Sequence, residues 1–177
     1  YILRDSLQAR DRLHGLAIPR HSRIATLEIK DFYMSGQTTN LLCDCTGAFE
    51  GALRTLISEV FFLLLDSQYV SLLSCDLVFK VVEGSGMGPF FSGAVASLSF
   101  YRRVESHLVN PTGLSDAQIH VYQRYHDDII CVYENIARFT RFFTSVKQHS
   151  AHFTVVCSSA STEIDHLDLN VCISRPV

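Results

Sequence analysis

The apolar residues of this chain recur at characteristic spacings, and these spacings separate helices from strands. Spacings of three and four predict a helix over residues 49–69, and small residues beside aromatic ones predict a second over 90–109. The same reasoning places a third helix over 136–148 and a shorter one within 1–14. The apolar stripe of the 49–69 helix is formed by Leu53, Leu56, Ile57, Val60, Phe61 and Leu64.

Runs rich in β-branched and aromatic residues predict strands between these helices. Such runs cover 24–29, 77–82, 153–157 and 167–173, and two more flank a tight acidic turn within 119–133. The resulting order, β–α–β–α–β–β–α–β–β, is typical of an α+β domain with a mostly antiparallel sheet. We expect two or three helices to back that sheet.

Turn-forming residues interrupt the pattern in three places. Residues 31–40 are polar and turn-like, and the glycines of 84–89 break regular structure before the second long helix. Residues 110–113 (NPTG) predict a helix stop followed by a loop.

Length and composition fit a globular domain with its own core. The chain has 177 residues, of which 47% are apolar and 19% are charged. No run approaches the ~18 uninterrupted apolar residues of a membrane span, so we expect no membrane partner. The sequence starts at Tyr1, without an initiator Met or a signal-peptide layout, and we expect it to be a piece of a longer protein.

Charge and cysteine usage narrow the classes further. The net charge of −3, with His neutral, is unusual for a nucleic-acid binder, which is usually basic. Positive charge is concentrated near the start, at Arg4, Arg10, Arg12, Arg20 and Arg23. The six cysteines form no C-x-x-C pair, which argues against a zinc site and favours a reducing, intracellular setting.

The strongest chemical signal is Tyr125-His126-Asp127-Asp128, at the tip of the predicted hairpin. Adjacent carboxylates inside an apolar hairpin are costly, because like charges repel and burial penalises each ion. A solvated turn tip would lower that cost. A bound Mg²⁺ would offset it more fully, since this ion prefers hard carboxylate oxygens together with substrate phosphates.

Three further blocks accompany this tetrad in a fixed order. Upstream lies a strand with an acidic residue and an aromatic residue five positions later, in 27–36 (LEIKDFYMSG). A glycine-rich turn then opens a helix at 84–94 (GSGMGPFFSGA), and Phe153-Thr154 with 164–169 (IDHLDL) follow the tetrad. Together the four blocks resemble the palm of reverse transcriptases of retroelement type, similar to Penelope-like and related enzymes, over roughly residues 24–173.

The resemblance implies an RNA-directed DNA polymerase, a nucleotidyltransferase in which two metal ions assist attack of a primer 3′-hydroxyl on a nucleotide α-phosphate. It implies that Asp127, Asp128 and Glu28 are the catalytic carboxylates and ligands of Mg²⁺ or Mn²⁺. It also implies a nucleotide-binding set formed by Asp31, Phe32, Tyr33, Gly86, Met87 and Gly88. Within that set the Tyr33 ring would crowd the sugar 2′ position, although a tyrosine packed in the core at a strand end would give the same pattern.

Glu28 departs from the family pattern, which has Asp at this position. The extra methylene moves the carboxylate by about 1.5 Å, and Mg²⁺ demands near-ideal octahedral geometry. Glu28 therefore either binds metal with adjusted geometry or marks a decayed enzyme. Asp31 is an alternative ligand, but a continued strand would turn it away from Glu28.

A general acid is needed to protonate the leaving pyrophosphate, and the family often uses a basic residue after the third helix. Lys147 and His152 are the candidates here, because His suits proton transfer near neutral pH. The alternative interpretation is ordinary surface charge at Lys147 and a histidine that merely precedes a strand at His152.

The resemblance also predicts the organisation and partners. Residues 1–23 would be an N-terminal helix left from the fingers, and 24–177 the palm. We expect an RNA template, a DNA primer and deoxynucleoside triphosphates as partners, fingers and thumb segments outside this chain, and little activity from these residues alone. The location would be intracellular, and nuclear for a eukaryotic retroelement.

Two other functions fit parts of the pattern. The first is a degenerate, non-catalytic domain that binds nucleic acid or acts as a scaffold, which Glu28 and the acidic net charge favour. The second is a viral-type RNA-dependent RNA polymerase, against which Tyr33 and the Tyr-x-Asp-Asp tetrad argue.

Overall fold

The chain contains both helices and strands in a computed structural model, which describes residues 1–158 and 160–173. The helices are α1 (Ser6–Leu13), α2 (Thr38–Thr46), α3 (Gly51–Asp66), α4 (Ser92–Phe100), α5 (Ser106–Leu108), α6 (Pro111–Asp116) and α7 (Ile136–His149). The strands are β1 (Arg23–Lys30), β2 (Tyr69–Ser71), β3 (Val78–Lys80), β4 (Ile119–Tyr125), β5 (Asp128–Tyr133), β6 (Thr154–Cys157), β7 (Glu163–His166) and β8 (Leu169–Cys172). A 3-10 turn (Phe32–Met34) follows β1, and a π-helical turn (Tyr101–Glu105) joins α4 to α5.

The chain divides into two compact units. The first combines residues 1–30 with 104–177 and contains a four-stranded antiparallel sheet in the order β4-β5-β1-β6, together with the β7–β8 hairpin. The second covers 31–103 and contains α2, α3, α4 and the β2–β3 hairpin. The predicted α+β class with an antiparallel sheet is confirmed. The assignment of residues 1–23 to the fingers and 24–177 to the palm stays a prediction.

Strand alternation gives the four-stranded sheet two different faces. One face carries a buried cluster of Ile24, Val121, Ile130 and Val132, against which side chains of α1 and of the β7–β8 hairpin pack. The opposite face carries Tyr122, Ala25, Leu27, Ile129, Cys131 and Tyr133. Helix α7 covers this second face, since Phe139 stacks on Tyr133 with ring centroids 4.0 Å apart.

The second unit has a smaller core. It consists of Leu41, Cys45, Leu65 and Val95, with Phe61, Phe91 and Leu98 packed against it. The six-residue stripe predicted for the 49–69 helix is therefore wrong in part. Leu53, Leu56 and Val60 are about half exposed, and the helix packs through the side that carries Phe61 and Leu65.

Three local predictions are also corrected. The 110–113 segment does not start a loop but opens α6, because the Asn110 side chain accepts from the Gly113 amide and Pro111 occupies the first turn. The 167–173 run is not one strand, since Leu167 and Asp168 form the turn between β7 and β8. Within the 31–40 segment, α2 already starts at Thr38. Within the described residues, no helix is long and apolar enough to cross a bilayer.

The buried face around Ile130 gives a stability prediction. Ile130→Ala should lower the free energy of unfolding by about 2–5 kcal/mol, because the surrounding cluster cannot fill the space of the lost methyl groups. Val60→Ala, on the half-exposed side of α3, should change it by less than about 0.5 kcal/mol. Urea denaturation of both variants checks the difference, and equal effects would contradict the assigned core.

Candidate functional site

The acidic tetrad forms the tip of the β4–β5 hairpin, as its sequence predicts. Tyr125 pairs with Asp128, so His126 and Asp127 alone make the turn. His126 has a φ of 50°, in the left-handed region that tight hairpin turns require. This geometry makes Asp127 the tip and Asp128 the first residue of β5.

The pairing of β1 with β5 brings Glu28 to this tip. Glu28 lies directly opposite Asp128, and the Ile29 amide donates to the Asp127 carbonyl at 2.9 Å. Hydrogen-bonded and non-hydrogen-bonded pairs alternate along an antiparallel ladder, so Glu28 and Asp128 form a non-hydrogen-bonded pair. Side chains of such a pair lie on the same face and approach closely.

The electrostatics of the tip reflect three neighbouring carboxylates. Burial raises the pKa of Asp128, and the negative charges of Asp127 and Glu28 raise it further. Lys30, two residues after Glu28 on the same strand, places its ammonium 2.6 Å from a Glu28 oxygen. Both side chains of this ion pair are about half exposed, so solvent screens the attraction.

The donor set fits a hard divalent cation in its chemistry. Glu28, Asp127 and Asp128 supply only carboxylate oxygens, which Mg²⁺ and Mn²⁺ prefer, and the Lys30 ammonium already provides a positive charge at Glu28. The described part of the chain contains no group of three His, Cys, Asp or Glu side chains close enough to hold a metal ion. Metal binding would therefore require Lys30 to move aside and the three carboxylates to converge.

The alternative ligand, Asp31, lies just beyond β1. Its φ of 51° bends the chain away from the strand, and its carbonyl accepts from the Met34 amide and the Ser35 hydroxyl, both at 2.8 Å. These bonds form the 3-10 turn that carries Phe32 and Tyr33. The β1–β5 pairing includes Glu28, opposite Asp128, and does not include Asp31.

The glycine-rich turn contacts the segment after β1. The Ser85 and Gly86 amides both donate to the Tyr33 carbonyl, at 2.7 and 3.1 Å. Gly84 has a φ of 80°, and a Cβ there would overlap the backbone of Tyr33 and Met34. The structure thus brings together the two segments predicted to bind nucleotide, residues 31–33 and 86–88.

A reciprocal serine pair joins this turn to the start of α4. The Ser92 hydroxyl donates to the Ser85 carbonyl at 2.7 Å, and the Ser85 hydroxyl donates to the Ser92 carbonyl at 3.1 Å. Gly88, with a φ of 114°, and the exposed Met87 lie between the two serines.

Tyr33 is half-buried with its ring against Phe32, so its predicted role at the sugar stays open.

The two general-acid candidates lie near β6. The Lys147 ammonium lies 4.8 Å from the centre of the Phe143 ring. Burial raises the pKa of the Cys157 thiol, and the Lys147 charge offsets part of that rise. Cys157 pairs with Leu27 and therefore shares the face opposite to that of Glu28. His152 packs beside Phe153. The general-acid role of Lys147 and His152 stays a prediction.

Sequence reasoning missed three buried polar residues next to the tip. Arg124, Glu105 and Tyr122 form a hydrogen-bonded group in the first unit, and Arg124 has no exposed surface. The available signal was an arginine directly before the tetrad, inside an otherwise strand-forming run. Its acidic partner, 19 residues upstream, has no sequence pattern that points to it.

Solved structures share this fold. Apo telomerase from Candida tropicalis matches with a TM-score of 0.70 and 12% identity, over 97% of this chain and 35% of that one. The same telomerase truncated from its C-terminal domain matches with a TM-score of 0.65 and 12% identity, over 97% of this chain and 39% of that one. The BmCPV RNA-dependent RNA polymerase at the elongation state matches with a TM-score of 0.50 and 10% identity, over 87% of this chain and 16% of that one.

These comparisons establish a polymerase-like fold for the chain. Neither a protein-family model nor a curated protein sequence matches it. The chain spans little more than a third of the telomerase chains. At sequence identities of 10–12%, the structural similarity shows a shared fold and nothing further.

The raised pKa of Asp128 gives a pH prediction. An acid whose folded pKa exceeds its unfolded value of about 3.9 binds more protons when folded, so its ionisation destabilises the fold as pH rises through that window. Asp128→Asn should therefore raise the melting temperature at pH 7 in the presence of a chelator. Because Asp128 is part exposed, solvent limits the gain to about 1 kcal/mol, or about 2–4 °C.

Asp168→Asn, in the turn of the β7–β8 hairpin, is the matched control. The gain in Asp128→Asn should disappear below about pH 3.9, where both folded and unfolded wild-type chains are protonated. Thermal unfolding across pH 3–8 measures this gain, and a loss of stability in Asp128→Asn at pH 7 would contradict the raised pKa that burial and the neighbouring charges give Asp128.

Proposed function

We propose that this chain is the palm of a reverse transcriptase, the part of an RNA-directed DNA polymerase that joins deoxynucleotides to a primer 3′-hydroxyl. The observation that carries the proposal is the register that sets Glu28 opposite Asp128, beside Asp127 in the turn, on a polymerase-like fold. The four sequence blocks that resemble retroelement enzymes support the same class. The proposed partners are an RNA template, a DNA primer and deoxynucleoside triphosphates.

The carboxylates have the chemistry that this reaction needs. Glu28, Asp127 and Asp128 would hold Mg²⁺ or Mn²⁺ through hard oxygens. The bound ions would supply a lowered pKa for the primer hydroxyl and positive charge for the triphosphate. The raised pKa of Asp128 means that a positive charge at the tip would favour its ionised, metal-binding form.

The second unit would contribute nucleotide recognition. Tyr33 would exclude a 2′-hydroxyl from the sugar, and Asp31 and Phe32 would contribute to the phosphate-binding segment. Gly86 and Gly88 would let the backbone approach the nucleotide and template, since both have a positive φ and no Cβ. Fingers and thumb segments elsewhere in the protein would hold the triphosphate and the duplex.

A non-catalytic nucleic-acid-binding or scaffolding domain is the second candidate, and two features of the tip are compatible with it. The Lys30 ammonium neutralises part of the Glu28 charge. The described residues also contain no acidic group already gathered tightly enough to hold a metal ion. Metal binding without primer extension would indicate this function.

Primer extension by the longest polypeptide that contains this chain tests the proposal. With Mg²⁺ or Mn²⁺ and an RNA template, Asp127→Asn should lower deoxynucleotide incorporation at least about 100-fold, because even small misplacements at a reacting centre cost that much. Asp168→Asn is the control and should leave the rate unchanged. Retained activity in Asp127→Asn would rule out the assigned carboxylate site.

The same assay resolves the identity of the first carboxylate and the sugar preference. A large gain in Glu28→Asp would mean that the natural glutamate impairs metal geometry, whereas a loss would mean that the site is adapted to it. Preferential incorporation of ribonucleotides would instead indicate an RNA polymerase and contradict the proposed role of Tyr33.

The Lys30–Glu28 ion pair predicts competition between the ammonium and the metal. Lys30→Met should tighten Mn²⁺ binding by up to about fivefold, which corresponds to the ~1 kcal/mol limit for an exposed ion pair. Lys80→Met is the matched control, because Lys80 makes a similarly exposed pair with Asp66 at 2.7 Å. Calorimetric titration measures both, and weaker Mn²⁺ binding in Lys30→Met would show that Lys30 supports the metal rather than competing with it.

A further inference from the structure

The arginine beneath the acidic hairpin is fully buried and has no part in the proposed carboxylate chemistry. The Arg124 Nε donates to Glu105 Oε1 at 2.8 Å, and its Nη2 donates to Glu105 Oε2 at 2.9 Å. Glu105 ends the π-helical turn and is itself 2% exposed. The two side chains thus form a bidentate ion pair inside the first unit.

The remaining nitrogen of this guanidinium reaches the hairpin turn. Arg124 Nη1 donates to the His126 carbonyl at 2.8 Å. That carbonyl belongs to the peptide bond between His126 and Asp127, so the bond links the buried ion pair to the backbone of a candidate metal ligand. Because the guanidinium is planar and its donors are fixed, the position of Glu105 constrains the position of the turn.

Other bonds hold the ion pair in place. The Tyr122 hydroxyl donates to Glu105 Oε1 at 3.0 Å, in a site where burial, ahead of the Glu105 charge, raises the Tyr122 pKa well above its usual range. The Arg124 backbone is also fixed, since its amide donates to the Tyr1 carbonyl and its carbonyl accepts from the Leu3 amide. The arginine is therefore anchored at both its backbone and its head group.

Stability alone does not account for this arrangement. Desolvation of two ions opposes their attraction, and well-packed apolar residues often replace a buried ion pair without loss of stability. An apolar pair, however, cannot donate to the His126 carbonyl. The function that distinguishes the ion pair from an apolar substitute is its hold on the turn.

We infer that Arg124, held by Glu105 and Tyr122, is a positioning residue that fixes the His126–Asp127 turn so that the Asp127 and Asp128 carboxylates can meet Glu28. This role rests on the proposed function, because it matters only if the tip binds metal. It acts through backbone geometry, and Arg124 itself touches neither metal nor substrate.

A double substitution separates positioning from stability. Arg124→Met with Glu105→Met removes both charges together and leaves neither ion buried alone, so the fold should persist. The Ile29 amide, which donates to the Asp127 carbonyl, reports on the turn by hydrogen exchange. The Ile24 amide, which donates to the Ser161 carbonyl near the other end of the same strand, is the internal reference.

We expect the Ile29-to-Ile24 ratio of exchange rates to rise about tenfold or more in the double variant. The affinity for Mn²⁺ should fall about 10–100-fold, the usual effect of losing a residue that orients a metal ligand. Tyr122→Phe, which keeps the bond to His126, should have a smaller effect on both. The control is Arg103→Met with Asp44→Met, an ion pair at 2.6 Å that makes no bond to the turn.

An unchanged exchange ratio in the double variant would overturn the inference. If the double variant does not fold, Arg124→Lys is the second test. The lysine charge can still pair with Glu105, but a single ammonium cannot reproduce the three guanidinium bonds to the two Glu105 oxygens and the His126 carbonyl. An unchanged ratio in Arg124→Lys would overturn it equally. If wild-type protein binds Mn²⁺ independently of Asp127, the proposed function fails, whereas the exchange ratio still decides whether Arg124 positions the turn.

Discussion

The register between β1 and β5 is the constraint on which the candidate site depends. It makes Glu28 and Asp128 a close cross-strand pair and leaves Asp127 at the tip beside them. A slip of one residue would turn Glu28 toward the face covered by α7, away from the Asp127 and Asp128 carboxylates. Burial prevents such a slip, since Ile24 faces the cluster on one side of the sheet and Leu27 faces α7 on the other, both without exposed surface.

Apolar packing in this arrangement brings like charges together, and the chain responds in three ways. Exposure of the tip to solvent weakens the repulsion, and the Lys30 ammonium offsets part of the Glu28 charge. Burial and the repulsion that remains together raise the pKa of Asp128. The Arg124–Glu105 pair adds no net charge, so it can reach the turn from the core without altering this balance. A divalent cation would neutralise the remaining negative charge of the three carboxylates. The fold therefore creates a site whose charge favours the metal that the proposed reaction uses.

Sequence alone predicts those parts of the chain whose signals are local. Runs of β-branched and aromatic residues predict β1 and the β4–β5 hairpin, and the adjacent carboxylates predict a cation site at the tip of that hairpin. Sequence does not predict the features that depend on contacts with other parts of the fold. The stripe of α3 cannot reveal which of its sides packs, and Asn110 becomes a helix cap only once Pro111 starts a turn. The position of Arg124 inside a strand-forming run was a signal, but its role could not be predicted, because its partners come from a distant helical turn and from a backbone carbonyl.

Anomalous X-ray scattering from crystals soaked with Mn²⁺ would show whether a cation binds at the acidic tip, and through which oxygens. A cation at the acidic tip must bind oxygens from both β1 and the hairpin. We expect an anomalous peak with Glu28 and Asp127 oxygens about 2.1 Å away, and Lys30 turned aside. Absence of a peak at saturating Mn²⁺, or a peak bound without Glu28 and Asp127, would contradict it.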